Sequence, residues 1–469
     1  MADDMGYGDL GSVNGGLSTT PRLDAFAAES LRLTQGYSAS CVCAPARAGF
    51  MTGRYPQRTG VLCLNDFHGL NRLAPQEQTL GDVFAHNGYQ TCLVGKWHLG
   101  TAASCRPNRR GFQEFHGFLG GGKDYWAYDL NHNGSTRKAD GRTYLTDELT
   151  GLALDFLRTA IPRSRLDGPP GSHASAGSAP EPFYLHLAYT SPHRPLQAQP
   201  ELLKKYTQRH DLTPGQAHIY AMLESMDTGI GRVLDALESS GAAENTIVAF
   251  VSDNGPDPMD DGGLSPVRPN CGLNGTKYQV YEGGIRVPFL IRWPAGLAGS
   301  GVNRSLVHFI DVLPTLVALC GLEKPRGPAL DGIDRSAALR GEADPDPQRF
   351  WQWNRYLPLR SCNAAMRDGD WKMVQPEIPG CREMHRSDTE RVKRRGGDAV
   401  DDEGITPPPD RALGSIMPPQ LYNLALDPGE SKDLAREDPT RAAKMAKQLE
   451  RWYDDVLIDF RKNYAAAME

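Results

Sequence analysis

The 469-residue chain is long enough for a large buried core in two to three domains, and its 39% hydrophobic and 23% charged residues are ordinary for a soluble globular protein. A net charge of -6 without a basic excess argues against nucleic acid or an anionic membrane as partner, so attraction for an anion must be local. No apolar run approaches the roughly 18 residues of a membrane span, and Met1-Ala2-Asp3-Asp4 has none of the features of a signal peptide.

Helical and extended apolar patterns alternate through about the first 340 residues, which predicts an α/β domain with a largely parallel sheet. Thr20-Pro21 reads as a cap and first-turn proline for a helix carrying Leu23, Phe26, Ala27 and Leu31 on one side. Tyr89–Gly95, Phe183–Tyr189 and Thr246–Ser252 read as buried strands. They lead into Lys96-Trp97-His98, Ser191-Pro192-His193 and Asp253-Asn254, and ligands of open α/β sheets bind beyond the carboxyl ends of the strands. Pro162–Glu181, rich in Pro, Gly, Ser and Ala, reads as a flexible insertion. The clearest helix lies near 217–240, where Ile219, Met222, Leu223, Met226, Ile230, Val233, Leu234 and Leu237 keep the 3.6-residue period and Gly241 stands at the C-terminal cap. Phe350–Trp353 and Trp371–Val374 read as strands, Pro376–Ser415 as a long loop, and Met445, Leu449, Trp452 and Val456 mark a final helix. The expected division is a catalytic domain over 1–345 and a smaller α+β domain over 346–469.

The nine cysteines, at 41, 43, 63, 92, 105, 271, 320, 362 and 381, are too scattered for a zinc cage, and the odd count leaves at least one unpaired. Cys41 and Cys43 are one residue apart, poor geometry for a mutual disulfide. Cys43 opens the run Cys43-Ala44-Pro45-Ala46-Arg47 at a turn into a helix, where free amides and positive potential favour an anion. Asp3, Asp4, Asp253 and Asn254 are hard oxygen donors suited to Ca²⁺ or Mg²⁺. Lys96, Lys277 and Arg47 offer fixed positive charge, and His98 and His193 can move protons near neutral pH. His68, His132 and His308 carry no such context.

Together these residues resemble the sulfatase family of the alkaline-phosphatase-like superfamily, in which Cys-x-Pro-x-Arg directs oxidation of the cysteine to formylglycine. Matching pieces run in family order through Asp3-Asp4-Met5-Gly6-Tyr7-Gly8-Asp9, Gly95-Lys96-Trp97-His98-Leu99-Gly100, Ser252-Asp253-Asn254-Gly255, Lys277 with Glu282-Gly283-Gly284-Ile285-Arg286-Val287-Pro288, Asp311-Val312-Leu313-Pro314-Thr315 and Leu421-Tyr422-Asn423-Leu424. The resemblance implies a three-layer α/β/α sandwich around a large, mostly parallel mixed sheet, followed by a C-terminal antiparallel sheet and a final helix. It implies a formylglycine at Cys43 installed by a formylglycine-generating enzyme, and calcium, ahead of Mg²⁺ or Mn²⁺, held by Asp3, Asp4, Asp253, Asn254 and residue 43. Arg47, Lys96 and Lys277 would hold the sulfate, His98 would act on the formylglycine hydroxyl, and His193 would face the leaving oxygen. The expected substrate is a sulfated carbohydrate or aryl ester, and the expected setting is periplasmic, secreted or lysosomal.

Two other readings stand beside this one. A phosphodiesterase or phosphonate monoester hydrolase of the same superfamily could share the acids and the cysteine motif. Family members carry a buried strand before the residues matching Asp3-Asp4, and none precedes them here. An unanchored start would suit a relative that binds sulfated glycans without turning them over, whereas a misassigned start or a trimmed precursor, the favoured reading, explains the same observation. Tyr125, Trp126, His132 and the Pro256–Asn270 segment are candidates to line the site.

Overall fold

The computed structural model describes residues 1–161, 181–297, 299–395 and 406–468. The insertion expected over 162–181 lies almost wholly outside the described residues. Thirteen strands are described: β1 Leu31–Tyr37, β2 Gln90–Lys96, β3 Glu114–Phe118, β4 Asp129–His132, β5 Ser135–Lys138, β6 Phe183–Ala188, β7 Val248–Val251, β8 Phe289–Arg292, β9 Gly301–His308, β10 Arg349–Gln352, β11 Ala364–Asp368, β12 Trp371–Gln375 and β13 Gln420–Asn423.

One sheet runs β5-β4-β3-β2-β6 and a second β7-β8-β1-β9, with parallel pairs at β2-β3, β2-β6 and β1-β9. The first residues of the chain join them. The Tyr189 amide donates to the Met1 carbonyl at 3.0 Å, the Ala2 amide to Val251 at 2.8 Å, and the Asp253 amide to Ala2 at 3.2 Å. Residues 1–3 thus fill the strand position between β6 and β7, so the expectation of an unanchored start does not hold for Asp3 and Asp4.

Alternation along the strands feeds two cores, because successive side chains point to opposite faces of a sheet. Leu93, Val251, Phe289 and Ile291 pack with helices Cys43–Thr52, Leu80–His86, Val312–Cys320 and Pro439–Met468. Cys92, Val94, Phe250 and Leu290 pack with helices Pro21–Ala28, Leu145–Ala160 and Pro214–Ser239 on the other face. The result is helices on both sides of a mixed sheet. A separate antiparallel sheet, β10-β11-β12-β13, follows, and the long last helix packs against it and the first core.

Three readings change in detail. Leu31 opens β1 rather than closing the first helix, which ends at Ala28, and it pairs with Ile291 and Gly301. The Thr20 side chain makes no cap bond to that helix. Asp227, from the helix Pro214–Ser239, accepts from the Arg22 and Leu23 amides instead, a tertiary cap on free helix donors. The loop expected over 376–415 contains a helix, Arg386–Arg395, anchored where Asp388 accepts from the Tyr356 hydroxyl at 2.5 Å. All nine cysteines are unbridged among the described residues, and no described helix is long and apolar enough to cross a membrane.

Candidate active site

Six chain segments meet beyond the carboxyl ends of the central strands, and the seam at residues 1–3 delivers the first. Asp3 closes it and Asp4 follows, both buried, as are Asp253 and Asn254 after β7, Lys96 at the end of β2, and Lys277. Cys43 is the first residue of a helix with Pro45 in its opening turn and Gly53, at φ 70°, as its left-handed cap. Every residue of that helix is buried, so the thiol is 1% exposed. Burial holds the Cys43 thiol well above its ordinary pKa, against the pull of Lys277 and Lys96. As a thiol it is a poor nucleophile.

Charges alternate around it. Lys96 Nζ lies 2.7 Å from Asp3 Oδ2 and Lys277 Nζ lies 2.7 Å from Asp4 Oδ2. Arg47 Nε donates to Asp253 Oδ2 at 2.9 Å and Nη1 to the Lys96 carbonyl at 3.2 Å. Asn254 Nδ2 donates to Asp4 Oδ1 at 2.7 Å, and Cys43 Sγ stands 3.8 Å from the same oxygen. Ligand atoms of Asp3, Asp4, Cys43 and Asp253 all fall within 4.8 Å of one another. Burial, with the Asp253 charge next, pushes Asp3 up to about 8 despite Lys96 and Arg47. Burial opposes the Asp4 carboxylate too, but Lys277, and His193 and Lys96 after it, hold it well below the usual range.

Three carboxylates gathered this closely call for a cation. Asp3 Oδ1 and Asn254 Oδ1 are buried and have no hydrogen-bond partner among the described residues. Two orphaned hard acceptors beside Asp4 and Asp253 fit a Ca²⁺-like or Mg²⁺-like ion.

The two histidines are oriented differently. His98 Nε2 donates to the Leu64 carbonyl at 2.6 Å, leaving a buried Nδ1 without a partner among the described residues. His193 Nδ1 donates to the Arg194 carbonyl at 2.6 Å, which turns Nε2 toward Asp4 Oδ2, 3.7 Å away. Burial first, then Lys96 for His98 and Lys277 for His193, lower both pKa values well below normal. His98 and Asp4 are left-handed, at φ 62° and 63°, strain of about 1–3 kcal/mol each that the surrounding contacts maintain.

Some supporting groups were not singled out from sequence. Asp257 lies 3.6 Å from Lys277 Nζ, and Arg268 is clamped to Asp9 while its Nη2 donates to the Asp4 carbonyl at 2.8 Å. Both fall in the 256–270 segment, which was read only as a possible lining. Gly121 and Gly122 lie against the two histidines: a Cβ at 121 would stand 2.7 Å from His98 Nε2, and one at 122 would stand 3.2 Å from His193 Cε1. The run Gly120-Gly121-Gly122 was the available signal, since consecutive glycines mark close approach. Gly121→Ala is expected to displace His98 and lower turnover about 100-fold with an unchanged melting profile, checked by steady-state kinetics beside calorimetry.

Tyr125 is fully buried, stacks on Tyr144 and donates its hydroxyl to the His193 carbonyl at 3.0 Å, so its ring supports His193 from behind. Trp126 also packs on Tyr144, and His132 sits on β4, two strands away from Lys96. His68 and His308 bond elsewhere, to Asp388 and the Ile310 amide.

A family model described as Sulfatase matches residues 1–322. Arylsulfatase A of Homo sapiens is 31% identical over 454 residues, covering 92% of this chain and 82% of that protein. Steryl-sulfatase of Mus musculus is 31% identical over 94% of this chain and 78% of its own length. Among solved structures, Ps i-CgsB in complex with k-i-k-neocarrahexaose superposes with a TM-score of 0.77 at 26% identity, covering 96% of this chain and 91% of that one.

Proposed function

The chain belongs to the sulfatase family and is a sulfatase with an alkaline-phosphatase-like α/β fold, and from that premise we propose that it hydrolyses sulfate monoesters of a carbohydrate through a formylglycine made from Cys43 and a calcium ion. The observation that carries this reading is the placement of Cys43 inside a cage of three carboxylates and three fixed cations. The hexasaccharide bound by the Ps i-CgsB structure supports a carbohydrate as the substrate class.

Asp3, Asp4, Asp253 and Asn254 would hold the ion, with their orphaned oxygens as open donors. When present, the aldehyde hydrate supplies two hydroxyls on one carbon, and the ion supplies charge that acidifies a hydroxyl and polarises the ester. Arg47, Lys96 and Lys277 hold the non-bridging oxygens and favour the charge that builds there, because they are buried and need no reorganisation. His98 takes a proton at Nδ1, the nitrogen not committed to Leu64. Lys277 carries the proton for the departing alcohol, and His193, with Nε2 turned toward Asp4, can pass that proton on once it is itself protonated.

Parallel rates on an aryl sulfate and an aryl phosphodiester, with the mass of the peptide containing Cys43, test the reading. The expected result is preference for the sulfate and a peptide about 18 Da lighter than the cysteine form. A preference for the diester would place the chain with the phosphodiesterases of the superfamily. Chelation is expected to abolish turnover, and calcium at 100 times its dissociation constant to restore it and contribute about 2.7 kcal/mol to stability, read from thermal unfolding.

A further inference from the structure

A second group of metal-ligand side chains gathers on the main sheet, away from the catalytic edge. Register sets Cys92 of β2 against Glu114 of β3, and His116 of β3 against His132 of β4. Residues 114 and 116 are two apart and therefore share a face, and their cross-strand partners share it with them. Cys92 lies four residues before Lys96, about 13 Å back along the strand.

The Cys92 thiol, a Glu114 carboxylate oxygen and a His116 ring nitrogen lie within 4.8 Å of one another. His116 Nε2 stands 3.1 Å from Glu114 Oε2, and its Nδ1 stands 3.0 Å from His132 Nδ1. His132 Nε2 is buried without a hydrogen-bond partner among the described residues. We propose that Cys92, Glu114 and His116 form a second divalent-metal site, for a zinc-like transition ion, in which His132 positions His116.

The donor set selects the class of ion. Sulfur, imidazole and one carboxylate suit zinc or cobalt, whereas the oxygen donors of Asp3, Asp4, Asp253 and Asn254 suit calcium, so the two sites sort different metals. Tetrahedral zinc with these donors needs ligand separations of about 3.4–3.6 Å. The His116–Glu114 pair, at 3.1 Å, already stands close to that separation, and the Glu114 side chain, 43% exposed, can adjust to it and leaves an entry path from solvent. With an ion on Nε2, the His116 proton would sit on Nδ1 and donate to His132 Nδ1, 3.0 Å away, the usual outer-shell arrangement of a ligating histidine. On binding, the Cys92 S–H bond breaks, a sulfur–metal bond forms, and the proton passes to solvent past Glu114, with no change of oxidation state. Burial and the Glu114 charge keep that thiol protonated until the ion arrives.

Cobalt titration of the full-length protein in excess calcium tests the proposal. One equivalent of Co²⁺ is expected to bring up thiolate-to-cobalt absorption in the near ultraviolet, and Cys92→Ser is expected to remove it. Cys92 is a core residue, so Glu114→Gln, on a half-exposed side chain, serves as a second variant. It is expected to weaken cobalt binding about 10- to 100-fold at an unchanged melting temperature and unchanged sulfatase turnover. Absence of the band at about 1 mM cobalt, persistence of the band in Cys92→Ser, or wild-type titration of Glu114→Gln would each overturn the site.

Discussion

Cys43→Ala is expected to lower sulfate-ester turnover by at least about 10⁴-fold while the protein still folds. The size follows from the proposed role: without residue 43 no covalent route remains, and the surviving cations can only bind the ester. The fold should tolerate the change. Residue 43 opens a helix whose next members are Ala44 and Ala46, and removing one sulfur atom costs about 1 kcal/mol, as for a methyl-sized deletion. Initial rates on an aryl sulfate, compared with wild type at matched melting temperature, decide the matter. Turnover within tenfold of wild type would remove Cys43 from the mechanism.

Lys372→Met is expected to cost about 3–5 kcal/mol of stability, the largest structural effect among these predictions. Lys372 Nζ lies 2.9 Å from both Glu282 and Glu430, and all three side chains are fully buried. The Glu282 amide donates to Glu430 Oε2 at 2.7 Å and the Tyr37 hydroxyl to Glu282 Oε2 at 2.7 Å, so one ammonium ties β12 to the segment after Lys277. Without it Glu430 stays buried with no cation beside it among the described residues, and Glu282 keeps only the more distant Arg286, at 3.7 Å. Burial opposes Glu282, but Lys372, Arg367 and Arg286 hold it down, whereas burial pushes Glu430 up to about 7 in spite of Lys372. A carboxyl with a raised folded pKa binds more protons folded than unfolded, so its contribution is present below about 4.5 and is lost as pH rises through about 7. Losing the lysine raises both glutamates further. The deficit of the variant is therefore expected to be smaller at pH 5 than at pH 8, measured by urea unfolding at both; an equal deficit would assign it to packing.

The sequence was most readable where chemistry and position coincide. Strand ends carrying Lys96-Trp97-His98 and Asp253-Asn254 could be placed at one sheet edge because apolar runs stop abruptly at them, and the long helix declared itself through its period. What sequence left unread depends on partners far along the chain. Asp227 caps a helix some 200 residues earlier, and Glu282 is held by Lys372 and Glu430 from the C-terminal sheet. Local pattern carries no trace of such pairs. Asp3 and Asp4 looked unsupported because the bonds that anchor Ala2 come from Val251 and Asp253. Leu31 was apolar and in helical phase, yet pairing with β8 and β9 decided its state.

The seam at residues 1–3 also imposes an order of events during synthesis. Asp3 and Asp4 cannot take their places until β6 and β7 exist to flank them, which requires the ribosome to have passed Asp253. At about 5–20 residues per second, roughly 10–40 s separate the emergence of Cys43 from that of Asp253. During that interval the cysteine is on a nascent chain with its cage unbuilt, open to a modifying enzyme. Afterwards it is 1% exposed and sealed beneath its own helix. Under the proposed conversion to formylglycine, the strand that positions Asp3 and Asp4 would thus close the period in which residue 43 can be modified.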